Sequence, residues 1–330
     1  MKFEFLNNLT LGTAQTSGPM TVIPLLGEDA TNELASFDDI TFQRVRTYGS
    51  MLFENSSDKP FILPAGYAIM TKQLAQDHGS VYATLLLPEL ISDVNISCCI
   101  QQTQCGYIDG KGINHFNFLP VEIRKNSVLS HTEEIDSVSF SRLWPIISEF
   151  QKKLIKSTEG NLILFFNKYM DKLLTFNAEF ECVDQQRGAI IMVDNEIAGI
   201  EIAPTQDYWK HIWNPLIRDA YGSTLLKKAL TNPVESFKSN DITNIFENCN
   251  SAEEMLSAIS SKTFSNKVNA LDKVEKFIEA NDFTPYENAS NTVDIAPLHD
   301  FTHIIGRSNT QAVIDTYLKG KKIIYLSMIA

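Results

Sequence analysis

Three clusters in the sequence carry side chains with enough chemistry to build a site. Lys72-Gln73, followed by Gln76-Asp77-His78, stands just ahead of an apolar run at 80–87. A cation and an imidazole near a strand start suit a phosphate, which charge-assisted hydrogen bonds hold well. Gln101, Gln102 and Gln104 leave a second apolar run at 94–100. Amides cannot act as general bases, but they read the donors and acceptors of bases, riboses and other amides. Gln186-Arg187-Gly188 enters a predicted hairpin, where Arg187 offers a planar fork for a phosphate or carboxylate. Each cluster also has a plainer reading, as a surface turn, a solvated loop or an exposed arginine.

Other reactive residues point less clearly to chemistry. Cys98, Cys99 and Cys105 are spaced wrongly for a structural zinc site, which commonly sets two cysteines two to four residues apart. Neighbours on a strand face opposite ways, so one of Cys98 and Cys99 is expected inside and the other at the surface or in a second layer. His299 and His303 are four apart, but no Glu follows the first and the flanks read as loop and strand rather than helix. No P-loop, dinucleotide glycine fingerprint, kinase motif set or nucleophile elbow occurs. No metal and no cofactor are expected, and catalytic residues stay unassigned.

The chain has 330 residues and a net charge of −12, from 28 Lys+Arg against 40 Asp+Glu. That excess of acid disfavours duplex nucleic acid, which needs surplus cations to displace counterions. No run approaches the ~20 apolar residues that span a bilayer, so no membrane partner is expected. Five cysteines make an odd count in a long chain, which argues for reduced thiols in the cytoplasm. No signal-peptide apolar region is read at the start.

Several elements must position these groups. The first ~125 residues read mainly as strands, at 3–5, 21–25, 41–47, 50–54, 60–63, 80–87 and 94–100. Apolar residues at spacings of three and four predict helices over 139–156 and 162–180. A hairpin follows, 188–193 and 197–202 around Asp194-Asn195-Glu196. A helix over 207–224 carries Trp209, Trp213 and Tyr221, with Pro215 set to kink it. The polar stretch 231–297 reads as an expansion or lid with helical patches at 251–260 and 271–280. Strands at 300–307, 310–318 and 322–328 close the chain. The sum is one α+β domain over 1–330, a predominantly antiparallel sheet with helices on one face.

These features arrive in a recognisable order. Gly66, Lys72-Gln73, Ile96-Ser97-Cys98 with its Gln-rich exit, Gln186-Arg187-Gly188-Ala189 and Gly199-Ile200-Glu201-Ile202 follow one another, ahead of Trp213, Leu216 and Tyr221. The chain thereby resembles the bacterial ADP-ribosylglycohydrolase and rhodanese-phosphatase associated protein domain family, over about 1–230 and 298–330. The resemblance implies an ADP-ribose-like or NAD-derived small nucleotide as ligand, held by Lys72, Gln73, Gln101, Gln102, Gln104, Gln186 and Arg187. It is a divergent likeness. Family acids after the glycine are here Tyr67-Ala68, and the Glu-Gln-Gly-Arg-Trp run is here Cys99-Ile-Gln-Gln-Thr-Gln. Amides in place of carboxylates remove acid–base chemistry, so binding without turnover is expected. An enzyme using His115, Asp109 or His303 is the alternative, as is a protein-interaction scaffold using the aromatic helix over 209–221. A homo-oligomer is left open.

Overall fold

The computed structural model describes residues 8–70, 77–102, 115–130, 139–156, 159–231, 272–286, 291–292 and 300–330. The fold is α+β. Its largest sheet runs in the order Thr10–Leu11, Met20–Leu26, Gln186–Val193, Glu196–Ile202, Lys322–Ile329, Val313–Lys319, Phe301–Ser308 and Phe283–Pro285. Every neighbouring pair is antiparallel. The closing strand Lys322–Ile329 thus sits in the middle of the sheet, not at its edge.

Alternating side chains explain why both faces are covered. Met20, Val22, Ala189 and Ile191 pack into the main core, whereas Ile23, Leu25, Ile190 and Met192 pack into a second one behind. Five helices contribute buried residues to the main core. They are Val121–Leu129 (α1), Leu143–Gln151 (α2), Leu162–Asn177 (α3), Gln206–Pro215 (α4) and Ser223–Thr231 (α5). Helix 272–280 covers the second core with Val274, Phe277 and Ile278. Helices α1–α5 pack on one face, and helix 272–280 is added on the other, because the strands are apolar on both.

Three smaller antiparallel sheets lie against the main core. One joins Leu90–Val94, Ser50–Asn55 and Ile40–Thr47. A second joins Ser97–Cys99, His78–Ser80, Tyr67–Met70 and His115–Phe118, and a third pairs Phe61–Leu63 with Thr84–Leu86. The apolar runs at 80–87 and 94–100 are not single strands. Each breaks, and the chain passes from one small sheet to the next. Helix α1 is absent from the sequence reading. Its buried set, Val121, Ile123, Arg124, Ser127 and Val128, mixes β-branched and polar residues, so no apolar stripe announces it. The stretches 3–5 and 251–260 lie outside the described residues.

One buried ion pair fastens α1 to the sheet. Arg124 Nη1 donates to Glu201 Oε1 at 2.9 Å, Arg124 Nη2 donates to Ser327 Oγ, and Tyr221 Oη donates to Glu201 at 2.9 Å. Burial works against the Arg124 charge, yet the Glu201 carboxylate outweighs it and the guanidinium pKa rises above its ordinary value. Gly66 is explained here. Its φ is +75°, and a Cβ would stand 2.7 Å from Arg124 Cδ.

Candidate functional site

A cavity of about 790 Å³ opens between the small sheets and helices α3 and α4. Its walls come from separate elements. Phe37 heads a one-turn helix, Phe37–Asp39, fixed by a capping box between Ser36 and Asp39. Tyr67, Phe116 and Asn117 stand on paired strands, in a register that sets Ala68 opposite Asn117. Helix α3 supplies Phe166 and Met170, helix α4 supplies His211, and the turn after it supplies Arg218.

Four rings line up nearly face to face. Phe37 and His211 stack at 3.9 Å with 3° between planes, His211 and Phe116 at 5.3 Å with 13°, and Phe116 and Tyr67 at 4.7 Å with 16°. Such a wall favours flat, polarisable ligands. Desolvation among the rings lowers the His211 pKa, against the pull of Asp38, so the imidazole is neutral near pH 7.

The floor is polar. After α4 the backbone widens into a π-helical segment, Leu216–Gly222, directly behind Pro215. Proline has no N–H to give the ladder, and π segments frequently mark functional sites. This segment holds Asp219, wholly buried, against four donors. Arg218 Nε reaches Oδ1 at 2.6 Å, while Arg218 Nη2, Asn117 Nδ2 and the Phe118 N–H reach Oδ2 at 2.8, 2.9 and 3.4 Å. Burial raises the Asp219 pKa above its ordinary value, and Arg218 and Asn117 oppose that shift. Asn117 Oδ1 is buried with no hydrogen-bond partner.

The residues expected from sequence fall elsewhere or outside the described residues. Lys72, Gln73, Gln104, Asp109, Cys105 and His299 are among the latter; Lys72 follows Met70, a cavity wall, by two positions. Gln101 bridges to Asn161 through the main chain, and Gln102 Oε1 accepts from Gly160 N–H at 2.9 Å, so this stretch holds the start of α3. Gln186 is buried, accepting from Val183 N–H and donating to Gly188 C=O. Arg187 is also buried, not an exposed fork. It donates to Glu28 C=O at 3.0 Å, and burial lowers its pKa. None of Gln101, Gln102, Gln186 and Arg187 lines the cavity. His303 pairs with Asp315 at 2.8 Å and stacks on Tyr317. His115 lies on the strand opposite Met70.

Cys98 and Cys99 are both fully buried, because their strand is covered on both sides. Burial pushes the Cys98 thiol up to about 12, far from a reactive thiolate. Among the described residues no group of three His, Cys, Asp or Glu could hold a metal ion. No helix among them is long and apolar enough to cross a membrane.

Sequence reasoning missed Asn117, His211, Arg218 and Asp219. One signal was there: Arg218-Asp219 interrupts the apolar helix three residues past Pro215. Adjacent opposite charges inside an otherwise buried turn need a reason, and the floor supplies it.

No curated protein and no solved structure matches the chain. A family model does, over residues 8–283, and so ends before the three closing strands. The chain belongs to the family of the ARG and Rhodanese-Phosphatase-superfamily-associated Protein domain.

Proposed function

We propose that this protein binds a small nucleotide of the ADP-ribose type in the aromatic cavity, in the cytoplasm and without turning it over. The observation that carries the reading is the ring wall above a polar floor, in a volume suited to a ligand of that size. The family's association with ADP-ribosylglycohydrolase supports the ligand class. Absence of turnover is supported by the chemistry of the floor. Its carboxylate is wholly buried, already accepts from Arg218, Asn117 and the Phe118 N–H, and does not itself line the cavity, so it stands away from a ligand's reacting atoms.

Thermal shift tests this directly. ADP-ribose, NAD and cyclic nucleotides are compared, and a ligand at ~100 Kd should add roughly 2.7 kcal/mol. Chromatography of the recovered ligand should return it intact. Met170→Trp, which fills the cavity, should abolish the shift. Lys72→Ala and Arg187→Ala test the set expected from sequence. Loss of binding in Arg187→Ala with full binding in Met170→Trp would move the site away from the cavity.

A further inference from the structure

Among the described residues, Asn117 on the floor of the aromatic cavity both lines a cavity and carries a buried polar atom without a partner. Resting on the nucleotide reading above, we propose that this floor takes the neutral amino-bearing edge of the ligand's planar ring, and that the phosphates stay outside it.

The argument is one of complementarity. Arg218 is the charged side chain of the cavity wall, but its guanidinium is already paired with Asp219 through Nε and Nη2. The pair carries no net charge, so it offers a pyrophosphate little attraction. The same Asp219 oxygen that takes Arg218 Nη2 also takes Asn117 Nδ2. That bond decides which way the Asn117 amide points, because only the NH₂ end can meet a carboxylate. Oδ1 is therefore the acceptor left over, buried and unpartnered. A buried acceptor without a donor is costly, and a ligand supplying the donor removes that cost. Phosphate oxygens have no hydrogen to give. An exocyclic amino group does.

Arg218 Nη1 supplies the complementary half, since it is not spent on Asp219. Sharing one carboxylate oxygen keeps Arg218 Nη2 and Asn117 Nδ2 within roughly 6 Å of each other, so the two side chains are neighbours on the floor. Between them they offer one donor and one acceptor. Adenine matches them with a ring nitrogen beside its amino group. The stacked rings of Phe37, His211, Phe116 and Tyr67 supply the flat wall that such a base needs.

The test uses the full chain with four soluble ligands: ADP-ribose, adenosine, purine riboside (adenosine without its amino group) and ribose 5-phosphate. Affinity is read by calorimetry. Adenosine should bind, purine riboside should bind at least about tenfold more weakly, and ribose 5-phosphate should bind more weakly still. Ribose 5-phosphate binding as well as ADP-ribose, or equal affinity for adenosine and purine riboside, would overturn the assignment. Asn117→Ala should erase the preference for adenosine over purine riboside; a preference kept in a folded variant sinks the proposal. The ratio on the unmodified protein decides the matter if that variant does not fold. Failure of ADP-ribose to bind while adenosine still outranks purine riboside would defeat the functional reading and leave the floor assignment standing.

Discussion

At the residue scale, burial sets what each polar group can do. His211 is packed against Phe37 and Phe116, and desolvation lowers its pKa. A group whose folded pKa is depressed contributes stability that is present above the unfolded pKa and lost as pH falls through the folded one. Stability should therefore fall on the acid side of the ordinary imidazole range. His211→Gln should flatten that fall, by tenths of a kcal/mol because the ring is partly exposed. Urea titrations at pH 7 and pH 5 check it, and an unchanged slope would count against the packing argument. Arg124 is the opposite case, a charge made permanent by its partner. Arg124→Leu leaves Glu201 buried with only the Tyr221 hydroxyl, and should cost about 3–5 kcal/mol. A loss below about 1 kcal/mol in equilibrium unfolding would mean that the pair is not the fastening described.

At the element scale, local sequence decided a good deal. The hairpin between Gln186–Val193 and Glu196–Ile202 is legible because Asp194-Asn195 separates two apolar runs. Val193 pairs with Glu196, so the turn is two residues, not three, and both adopt left-handed φ, 51° and 68°. Such turns match strand twist, and Gly fits them without strain. Asn195→Gly should stabilise by roughly 0.5–1 kcal/mol, whereas Asn195→Val should destabilise by about 1–2 kcal/mol. Opposite shifts in melting temperature would confirm the turn type; equal shifts would refute it. Helix α3 was legible for a like reason, as its apolar residues recur at helical spacing. Helix α1 was not, and neither were the breaks in the runs at 80–87 and 94–100. In both places tertiary packing decided, with Arg124 drawn inward by Glu201 and short strands shared among three sheets.

At the scale of the whole molecule, the closing strands are central. Lys322–Ile329 pairs with Glu196–Ile202 on one side and Val313–Lys319 on the other. It also brings Ser327 to Arg124. The family match stops at residue 283, yet the sheet does not. A chain ended at 283 would expose the backbone edge of Glu196–Ile202 and strip Ala312, Ile314, Leu326 and Met328 from the second core, a liability for aggregation. It should be recovered insoluble. A soluble 1–283 fragment with a cooperative melting transition would show that the closing strands are dispensable.

The sequence by itself determined the α+β class, most of the main sheet's strands, the long helix α3 and the family likeness, because these rest on short-range periodicity and turn chemistry. It also marked Gly66, Gln186 and Arg187, though for reasons it could not supply: Gly66 clears Arg124, and Gln186 and Arg187 sit buried in local bonds. Only the tertiary structure decided where a ligand would fit. Phe37, Tyr67, Asn117, Met170, His211 and Arg218 meet at one cavity from positions scattered over more than half of the chain. No local pattern encodes that meeting, since strand pairing and helix packing bring distant residues together through contacts that carry no sequence spacing.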